Sequence, residues 1–147
     1  MTVRLAYSRG NIIKDLSMRL FFLDDNPARH EVLKATGVQA DHCYSYDDAL
    51  VKLQPVKYDV LSLDHDLGDG DDYCTPGVNN KHKTGTDLAR VIVERDIMAD
   101  VIILHSFNPI GAQSMHQILT NSARQILRIP FGFDTKIYTT LQASTVN

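Results

Sequence analysis

Short apolar runs alternate with segments of helical periodicity along most of this chain, and that alternation limits the folds open to it. The run YDVLSLD, residues 58–64, is nearly continuous in apolar residues, as expected of a strand covered by helices on both faces of a sheet. The β-α unit occurs four times and a fifth strand follows, which predicts one doubly wound, parallel five-stranded α/β sheet. The other four strands are predicted at MRLFFL, DHCYSY, DVIILHS and QILRIPF.

Two of the predicted helices carry the same start signal, an asparagine followed by a proline. Asn26 precedes Pro27, and Asn108 precedes Pro109. Each asparagine is a capping residue, and proline suits the first helical position because it has no N–H to leave unpaired. Gly37 is expected to end the first of these helices.

Length and composition are those of one globular domain. The chain has 147 residues, of which 44% are hydrophobic and 22% charged, and a chain of this length buries about two-thirds of its extended surface. Residues 1–17 show no clean period and are predicted to form an N-terminal extension, either a strand or an ordered arm. The domain itself is predicted to span residues 18–147, with its last dozen residues left unassigned.

Charge and cysteine content argue against several classes of function. The net charge of -3 argues against broad binding to duplex nucleic acid, but it permits one local site for a phosphate-bearing ligand. No apolar run approaches the roughly 18 residues of a membrane helix. With Cys43 and Cys74 as its two cysteines and no signal-peptide pattern, the protein is expected to be cytoplasmic and without a disulfide framework. No pattern indicates an oligomeric state.

Polar side chains follow three of the predicted strands, at the sheet edge where such folds bind ligands. Each of these features has a simpler explanation, because acids and asparagines at strand ends also cap helices. Their occurrence at three strand ends that one fold would bring together predicts a shared site. The side chains are Asp24 and Asp25 after the first strand, Asp64, His65 and Asp66 after the third, and His105, Ser106 and Asn108 after the fourth.

Crowded carboxylates raise one another's pKa unless a cation neutralises them. A hard divalent ion with oxygen ligands, Mg²⁺ (or Mn²⁺), is the simplest such cation. The acidic loop DHDLGDGDD lacks the spacing of an EF-hand calcium loop. A zinc site from His65, Cys74 and His82 lacks the usual ligand spacing. The glycine-rich stretch from Gly68 to Gly85 is predicted to form a rim or lid over the strand ends.

The chain from Met18 to Phe131 resembles the receiver domain of two-component response regulators, which has a flavodoxin-like fold. The match rests on the acidic pair DD after the first strand, on Asp64 after the third and on Ser106 after the fourth. The resemblance implies that the acids hold magnesium, that Asp64 accepts a phosphoryl group, and that the hydroxyl of Ser106 contacts that group.

One position departs from the receiver pattern. Receivers carry a lysine before a proline after the fifth strand, whereas this chain has Ile129 before Pro130, with Arg128 one residue out of register. The full set of motifs more closely resembles an offshoot, the cyclic-phosphate-processing receiver-like domains, which occur in phage–bacterial conflict and RNA repair. The motifs are FLDDNPARHEVL, LSLDHDLG, TGTDLAR and ILHSFNPIGAQSM.

This second resemblance implies a metal-dependent phosphoesterase that hydrolyses a 2′,3′-cyclic phosphate at an RNA end or a cyclic nucleotide signal. Such a reaction needs a base to activate water, an acid to protonate the departing oxygen, and a cation for the developing charge. An imidazole, whose ordinary pKa is about 6.5, suits the first two tasks. The expected metal ligands are Asp24, Asp25, Asp64 and Asp66, of which Asp66 is either a further ligand or the residue that orients a histidine. The expected catalytic residues are His65, His105 and Asp64, and the expected phosphate-binding residues are Ser106, Asn108 and Arg29.

Two other functions stay open. The chain is alternatively a signalling module phosphorylated on Asp64, or a non-catalytic protein that binds a phosphorylated ligand, because a binding site and an active site hold phosphate with the same groups. Tyr73, Phe107 and Phe131 are candidates for stacking on a base, although aromatic side chains of this kind more often serve packing.

Overall fold

The computed structural model describes residues 4–8, 11–15, 18–53, 57–68, 83–132 and 135–144. Seven strands and five helices occur in this part of the chain. The strands are β1 (Arg4–Ser8), β2 (Asn11–Asp15), β3 (Leu20–Leu23), β4 (Asp41–Cys43), β5 (Val60–Leu63), β6 (Ala99–Leu104) and β7 (Ala123–Arg128). The helices are α1 (Pro27–Ala35), α2 (Tyr46–Lys52), α3 (Gly85–Glu94), α4 (Pro109–Leu119) and α5 (Lys136–Ser144).

Five of the strands form one parallel sheet in the order β4-β3-β5-β6-β7. The predicted doubly wound fold is therefore confirmed. Strands β3 and β5 are buried at every position, as expected where helices cover both faces. Side chains alternate along a strand, so Phe21 and Leu23 belong to one core cluster while Leu20 and Phe22 belong to the other.

The two core clusters occupy opposite faces of the sheet. One cluster includes buried residues of α2, α3 and α4, among them Ala49, Leu88 and Met115. The other includes Leu33 of α1 and Tyr138 of α5. Helices on both faces leave the carboxyl ends of the strands as the open edge of the domain.

Both predicted helix starts are confirmed. The Asn26 side chain accepts a hydrogen bond from the Ala28 amide at 2.9 Å, and the Asn108 side chain accepts one from the Gly111 amide at 2.9 Å. At the other end of α1, Gly37 has φ 84°, a conformation that glycine adopts without steric strain.

Near both ends of the chain, the structure contains strands and a helix that the sequence pattern did not assign. Strands β1 and β2 pair with each other in antiparallel register from Arg4–Asp15 to Ser8–Asn11, within the predicted N-terminal extension. Helix α5 lies in the unassigned last dozen residues. Residues 69–82, which carry most of the predicted lid and the end of the acidic loop, lie outside the described residues. Among the described helices, none is long and apolar enough to cross a membrane.

Candidate functional site

Three polar residues from three neighbouring strands meet at the carboxyl edge of the sheet. Leu23 of β3 pairs with Leu63 of β5, and Leu63 pairs with Leu104 of β6, so the residue that follows each of them shares one level. Those residues are Asp24, Asp64 and His105; one ligand atom from each lies within 4.8 Å of the others. All three side chains are buried.

A cleft of about 380 Å³ opens beside these buried groups. Two more of the predicted metal ligands, Asp25 and Asp66, line it together with Asp64, so the structure brings all four predicted acids to one region. The full lining is Asp25, Asn26, Pro27, Arg29, Asp64, Asp66 and Phe107.

The carboxylate of Asp24 is surrounded by donors. Its Oδ1 accepts the Asn26 amide at 2.8 Å, and its Oδ2 accepts Arg29 Nη1 at 3.0 Å and His105 Nε2 at 2.9 Å. Burial alone would raise the pKa of Asp24, but these hydrogen bonds outweigh burial and lower that pKa below its usual value. Asp24 is therefore an anion that the fold stabilises.

Asp64 has fewer compensating contacts. Its Oδ1 accepts the His65 amide at 2.8 Å, and its Oδ2 lies 3.6 Å from Arg29 Nη1. Burial and then the neighbouring charge of Asp24 raise the pKa of Asp64 to about 7. The pocket thus holds one stable anion and a second carboxylate that is costly to ionise unless a further cation is present.

His105 belongs to a buried hydrogen-bond chain that crosses the core. Its Nε2 contacts Asp24, and its Nδ1 lies 2.8 Å from Ser62 Oγ, which lies 2.7 Å from the Tyr138 hydroxyl of α5. A carboxylate only accepts hydrogen bonds, so a neutral His105 donates from Nε2 to Asp24 and accepts from Ser62 at Nδ1. Its ring stacks on Phe22, with centroids 4.7 Å apart, and burial lowers the pKa of His105.

His30 also contacts Asp24, through the backbone carbonyl of that residue. The sequence alone assigned no role to His30. Its Nε2 donates to the Asp24 carbonyl at 2.7 Å, and its Nδ1 lies 2.6 Å from His42 Nδ1. Burial lowers the pKa of His30. The sequence signal was weak, because a histidine on the first turn of a helix is usually exposed, whereas His30 is buried.

His65 is held between the starts of α3 and α4. Its Nδ1 donates to Asp66 at 2.9 Å, and its Nε2 lies 3.1 Å from Thr86 Oγ1. A Cβ atom added at Gly111 would overlap the His65 ring, and one added at Gly85 would overlap the Asp64 carbonyl oxygen. Because glycine has no Cβ, Gly111 lets the His65 ring lie close to α4, and Gly85 lets the Asp64 carbonyl lie close to α3.

The predicted phosphate-binding residues lie at the start of α4 and on α1. Ser106 is buried, and its Oγ accepts a hydrogen bond from the backbone N–H of Asn108 at 3.0 Å. The Asn108 Nδ2 lies 3.4 Å from Asp66 Oδ1. Arg29 lies between the acids, and its guanidinium carbon is 5.2 Å from the centroid of the Phe107 ring.

The aromatic candidates for base stacking have different surroundings. Phe107 is 52% exposed and lines the cleft. Phe131 is buried and packs against Phe22, His105 and Tyr138, so its ring serves the core. Tyr73, together with Cys74 and His82 of the zinc alternative, lies outside the described residues.

The position that departs from the receiver pattern contributes no cation to the site. Ile129 packs against the core cluster of Phe22, and Arg128 turns toward α4, where it donates to His116 and Gln113. Within the described part of the chain, the cation that contacts the buried carboxylates is Arg29.

Comparison with known proteins gives one family and one fold. The model of the family described as the cyclic-phosphate processing receiver domain matches residues 18–121. No curated protein matches the chain.

Solved receiver structures share the fold at low sequence identity. A two-component response regulator from Clostridium difficile is 17% identical with a TM-score of 0.56, covering 88% of this chain and 95% of that one. The non-phosphorylated HemR receiver domain from Leptospira biflexa is 19% identical with a TM-score of 0.54, covering 88% and 94%. A response regulator from Burkholderia pseudomallei, solved with a phosphorylated aspartic acid, calcium ion and citrate, is 15% identical with a TM-score of 0.53, covering 86% and 72%.

Proposed function

The chain belongs to the family of cyclic-phosphate processing receiver domains, and we propose that it hydrolyses a cyclic phosphate with the help of a divalent metal ion. The observation that carries this proposal is the pair of buried carboxylates, Asp24 and Asp64, beside an open acidic cleft. An RNA end with a 2′,3′-cyclic phosphate, or a cyclic nucleotide signal, in a bacterial or phage-infected cell is the substrate that the family resemblance implies.

The acids of the site fit a hard divalent ion. Asp24, Asp25 and Asp64 would hold Mg²⁺ or Mn²⁺, with Asp66 as a further ligand, because carboxylate oxygens are the donors that these ions prefer. The raised pKa of Asp64 supports this assignment, since burial and the charge of Asp24 disfavour a second anion that a cation would stabilise. When bound, such an ion polarises a phosphoryl oxygen and neutralises charge that develops on it.

His65 is the residue that we assign to proton transfer. Its Nδ1–H donates to Asp66, which leaves Nε2 of the neutral ring as the basic nitrogen and fixes the orientation of the imidazole. Thr86 contacts that nitrogen at 3.1 Å, a bond that an activated water would replace. A carboxylate that orients a histidine is a common arrangement for general acid–base catalysis.

His105 receives a different role from the one that the sequence suggested. It was expected to exchange protons with substrate, but its ring is 0% exposed and both nitrogens are hydrogen bonded to Asp24 and Ser62. We therefore propose that His105 is a positioning residue that holds the Asp24 carboxylate, and that His65, whose neighbours Asp64 and Asp66 line the cleft, is the acid–base residue.

Phosphate oxygens would be bound at the start of α4. The Ser106 hydroxyl and the side-chain NH2 group of Asn108 lie at the N-terminus of α4, where the helix dipole favours an anion. Asn108 already contacts Asp66, so the phosphate site and the acidic site are adjacent. Arg29, which lines the cleft, would provide positive charge for the phosphate.

A substrate panel tests the proposal. Protein with Mg²⁺ or Mn²⁺ is incubated with 2′,3′-cyclic, 3′,5′-cyclic and cyclic oligonucleotide phosphates, and the product end groups are identified. Turnover of at least one class is expected, with loss on chelation and in Asp64→Asn. Asp47→Asn, which removes an exposed carboxylate from α2, is the matched control and should retain full activity. Metal-saturated protein that hydrolyses none of these substrates would contradict the proposal.

A second candidate is a receiver module phosphorylated on Asp64, and the shared receiver fold is the observation that favours it. One feature weighs against it: Ile129 stands where receivers have lysine. Acetyl phosphate separates the two candidates, because a receiver forms an acid-stable, base-labile adduct. Binding of a cyclic phosphate without turnover, unchanged in His65→Ala, would instead indicate a sequestering protein.

A further inference from the structure

Arg29 lies where a metal ion would lie. Its Nη1 is 3.0 Å from Asp24 Oδ2 and 3.6 Å from Asp64 Oδ2, so one guanidinium nitrogen bridges the two buried carboxylates. Its side chain is 25% exposed, whereas those of the two acids are 0% and 4% exposed. The guanidinium is therefore the counter-ion of the acid pair in this structure.

A guanidinium and a divalent ion cannot both occupy this position. Asp24 Oδ2 already accepts from Arg29 and from His105, which uses the lone pairs that an oxygen offers in the plane of its carboxylate. Two cations within a few ångströms of each other in a partly buried site also repel strongly. Coordination by Asp24 Oδ2 therefore requires that Arg29 moves away, and an ion at Asp64 Oδ2 would lie close enough to the guanidinium to repel it.

Phe107 provides a second contact for the side chain when it moves. The guanidinium carbon of Arg29 is already 5.2 Å from the centroid of the Phe107 ring, and both residues line the cleft. Cation–π contact stabilises a guanidinium at such a distance. A rotation of the end of the side chain would keep this contact while it turns the guanidinium from the acids toward the cleft.

We propose that Arg29 and the metal ion exchange places: the ion displaces Arg29 from Asp24 and Asp64, and the released guanidinium then binds the substrate phosphate. The inference rests on the proposed metal site. Its consequence is ordered binding, because the arginine contacts an anionic substrate only after the acids have a new counter-ion. By linkage, an anion that attracts Arg29 must in turn increase the affinity for the metal ion.

Titration calorimetry with Mg²⁺ or Mn²⁺ alone tests the exchange without relying on activity. Arg29→Gln removes the competing cation, so we expect it to bind the metal at least about fivefold more tightly than the wild type, the lower end of ordinary coupling. Arg124→Gln is the charge-matched control, because Arg124 is exposed near the start of β7, at the opposite end of the parallel strands from the site. It should bind the metal as the wild type does.

Inorganic phosphate supplies the second arm of the experiment. Phosphate is expected to increase the metal affinity of the wild type and to have a smaller effect on Arg29→Gln. Arg29→Lys keeps the charge, so it should restore both the weaker metal binding and part of the response to phosphate. Thermal unfolding of each variant checks that the fold is retained.

The outcomes separate this inference from the proposed function. Metal binding in Arg29→Gln that equals or falls below that of the wild type would overturn the exchange, even if hydrolysis remains metal-dependent. An equal phosphate effect in wild type and Arg29→Gln would also overturn it. If neither protein binds a divalent ion at all, the exchange and the metal-dependent function fail together.

Discussion

Among single residues, Asp64 is the one whose buried position most directly affects the chemistry proposed for the site. Burial and Asp24 raise its pKa from 3.8 to about 7, so the native protein binds more protons than the unfolded chain between about pH 4 and pH 7. The contribution of Asp64 to the free energy of unfolding therefore falls as pH rises through that window. Above pH 7, where Asp64 is ionised, its full destabilising effect is present.

Asp64→Asn is expected to stabilise the metal-free protein at pH 8 by about 2 to 4 kcal/mol, because each pKa unit corresponds to about 1.4 kcal/mol. The amide oxygen of asparagine can still accept the His65 N–H that Asp64 accepts. Urea unfolding in chelator at pH 5 and pH 8 measures the effect, which should be much smaller at pH 5. A variant that is less stable than the wild type at pH 8 would show that ionised Asp64 is not a destabilising group.

Substitution by alanine should have different effects on stability and turnover at the two glycines of the site. The three atoms nearest to a Cβ at Gly111 all belong to the His65 side chain, which can rotate, whereas a Cβ at Gly85 overlaps the Asp64 carbonyl and lies 2.7 Å from Met115 Sδ. We therefore expect Gly111→Ala to keep stability and metal binding but to lose about 10²-fold in turnover, the usual contribution of an acid–base residue. Gly85→Ala should lose about 1 to 3 kcal/mol of stability.

Hydrolysis rates and thermal unfolding of both glycine variants give the comparison. Full activity in Gly111→Ala would remove His65 from the mechanism, because its ring would have moved without effect. A drop in stability of equal size in both variants would mean that the His65 ring cannot move aside.

At the level of elements, α5 is connected to the acidic site by the chain from Tyr138 through Ser62 to His105. Partners of this kind, which hold a metal ligand without touching the metal, typically contribute 10- to 100-fold to metal affinity. Tyr138→Phe removes the hydroxyl that fixes Ser62, and we expect it to weaken metal binding by about threefold to tenfold. Ser62→Ala, which removes the partner of His105 itself, should weaken it more.

Tyr58→Phe is the matched control for Tyr138→Phe. Tyr58 is also buried, and its hydroxyl donates to Asp41 at 2.6 Å, before the start of β5 and away from the acids. Calorimetry should therefore show unchanged metal affinity in Tyr58→Phe despite a similar loss of a hydrogen bond. Equal metal affinity in Tyr138→Phe and the wild type would mean that the hydrogen bonds from Tyr138 through Ser62 to His105 serve packing alone.

Sequence patterns predicted the elements that have strong local signals and missed those that depend on tertiary contacts. The five apolar runs and the two asparagine–proline starts predicted the sheet and two of its helices because burial and capping are local requirements. Helix α5 has a largely polar sequence, KIYTTLQAS, whose helical side is recognisable only once Tyr138 is known to be buried. The pairing of β1 with β2 likewise depends on a partner strand rather than on a period.

The candidate site was predicted at the level of position but not at the level of side-chain contact. Parallel strands bring their carboxyl ends to one edge, so the proximity of Asp24, Asp64 and His105 followed from the order of elements. Rotamers are set by packing, and no pattern indicated that His105 is fully buried or that Arg29 bridges the acids. Those contacts change the assigned roles of both residues.

At the scale of the whole molecule, the acids lie at one edge of the sheet, Arg29 lines the cleft beside them, and the Ser106 hydroxyl and the Asn108 side chain lie at the start of α4. In our proposal, this combination holds a metal ion and a phosphate next to each other. We expect a divalent ion to bind between Asp24 and Asp64.

Anomalous diffraction from crystals grown with Mn²⁺ would locate such an ion. We expect one strong peak about 2.1 Å from carboxylate oxygens of Asp24 and Asp64, with the Arg29 guanidinium turned away from both. Crystals of Asp64→Asn grown in the same way should show no such peak. Wild-type crystals with Arg29 still bridging the two carboxylates, and with no peak between them at saturating Mn²⁺, would contradict the account.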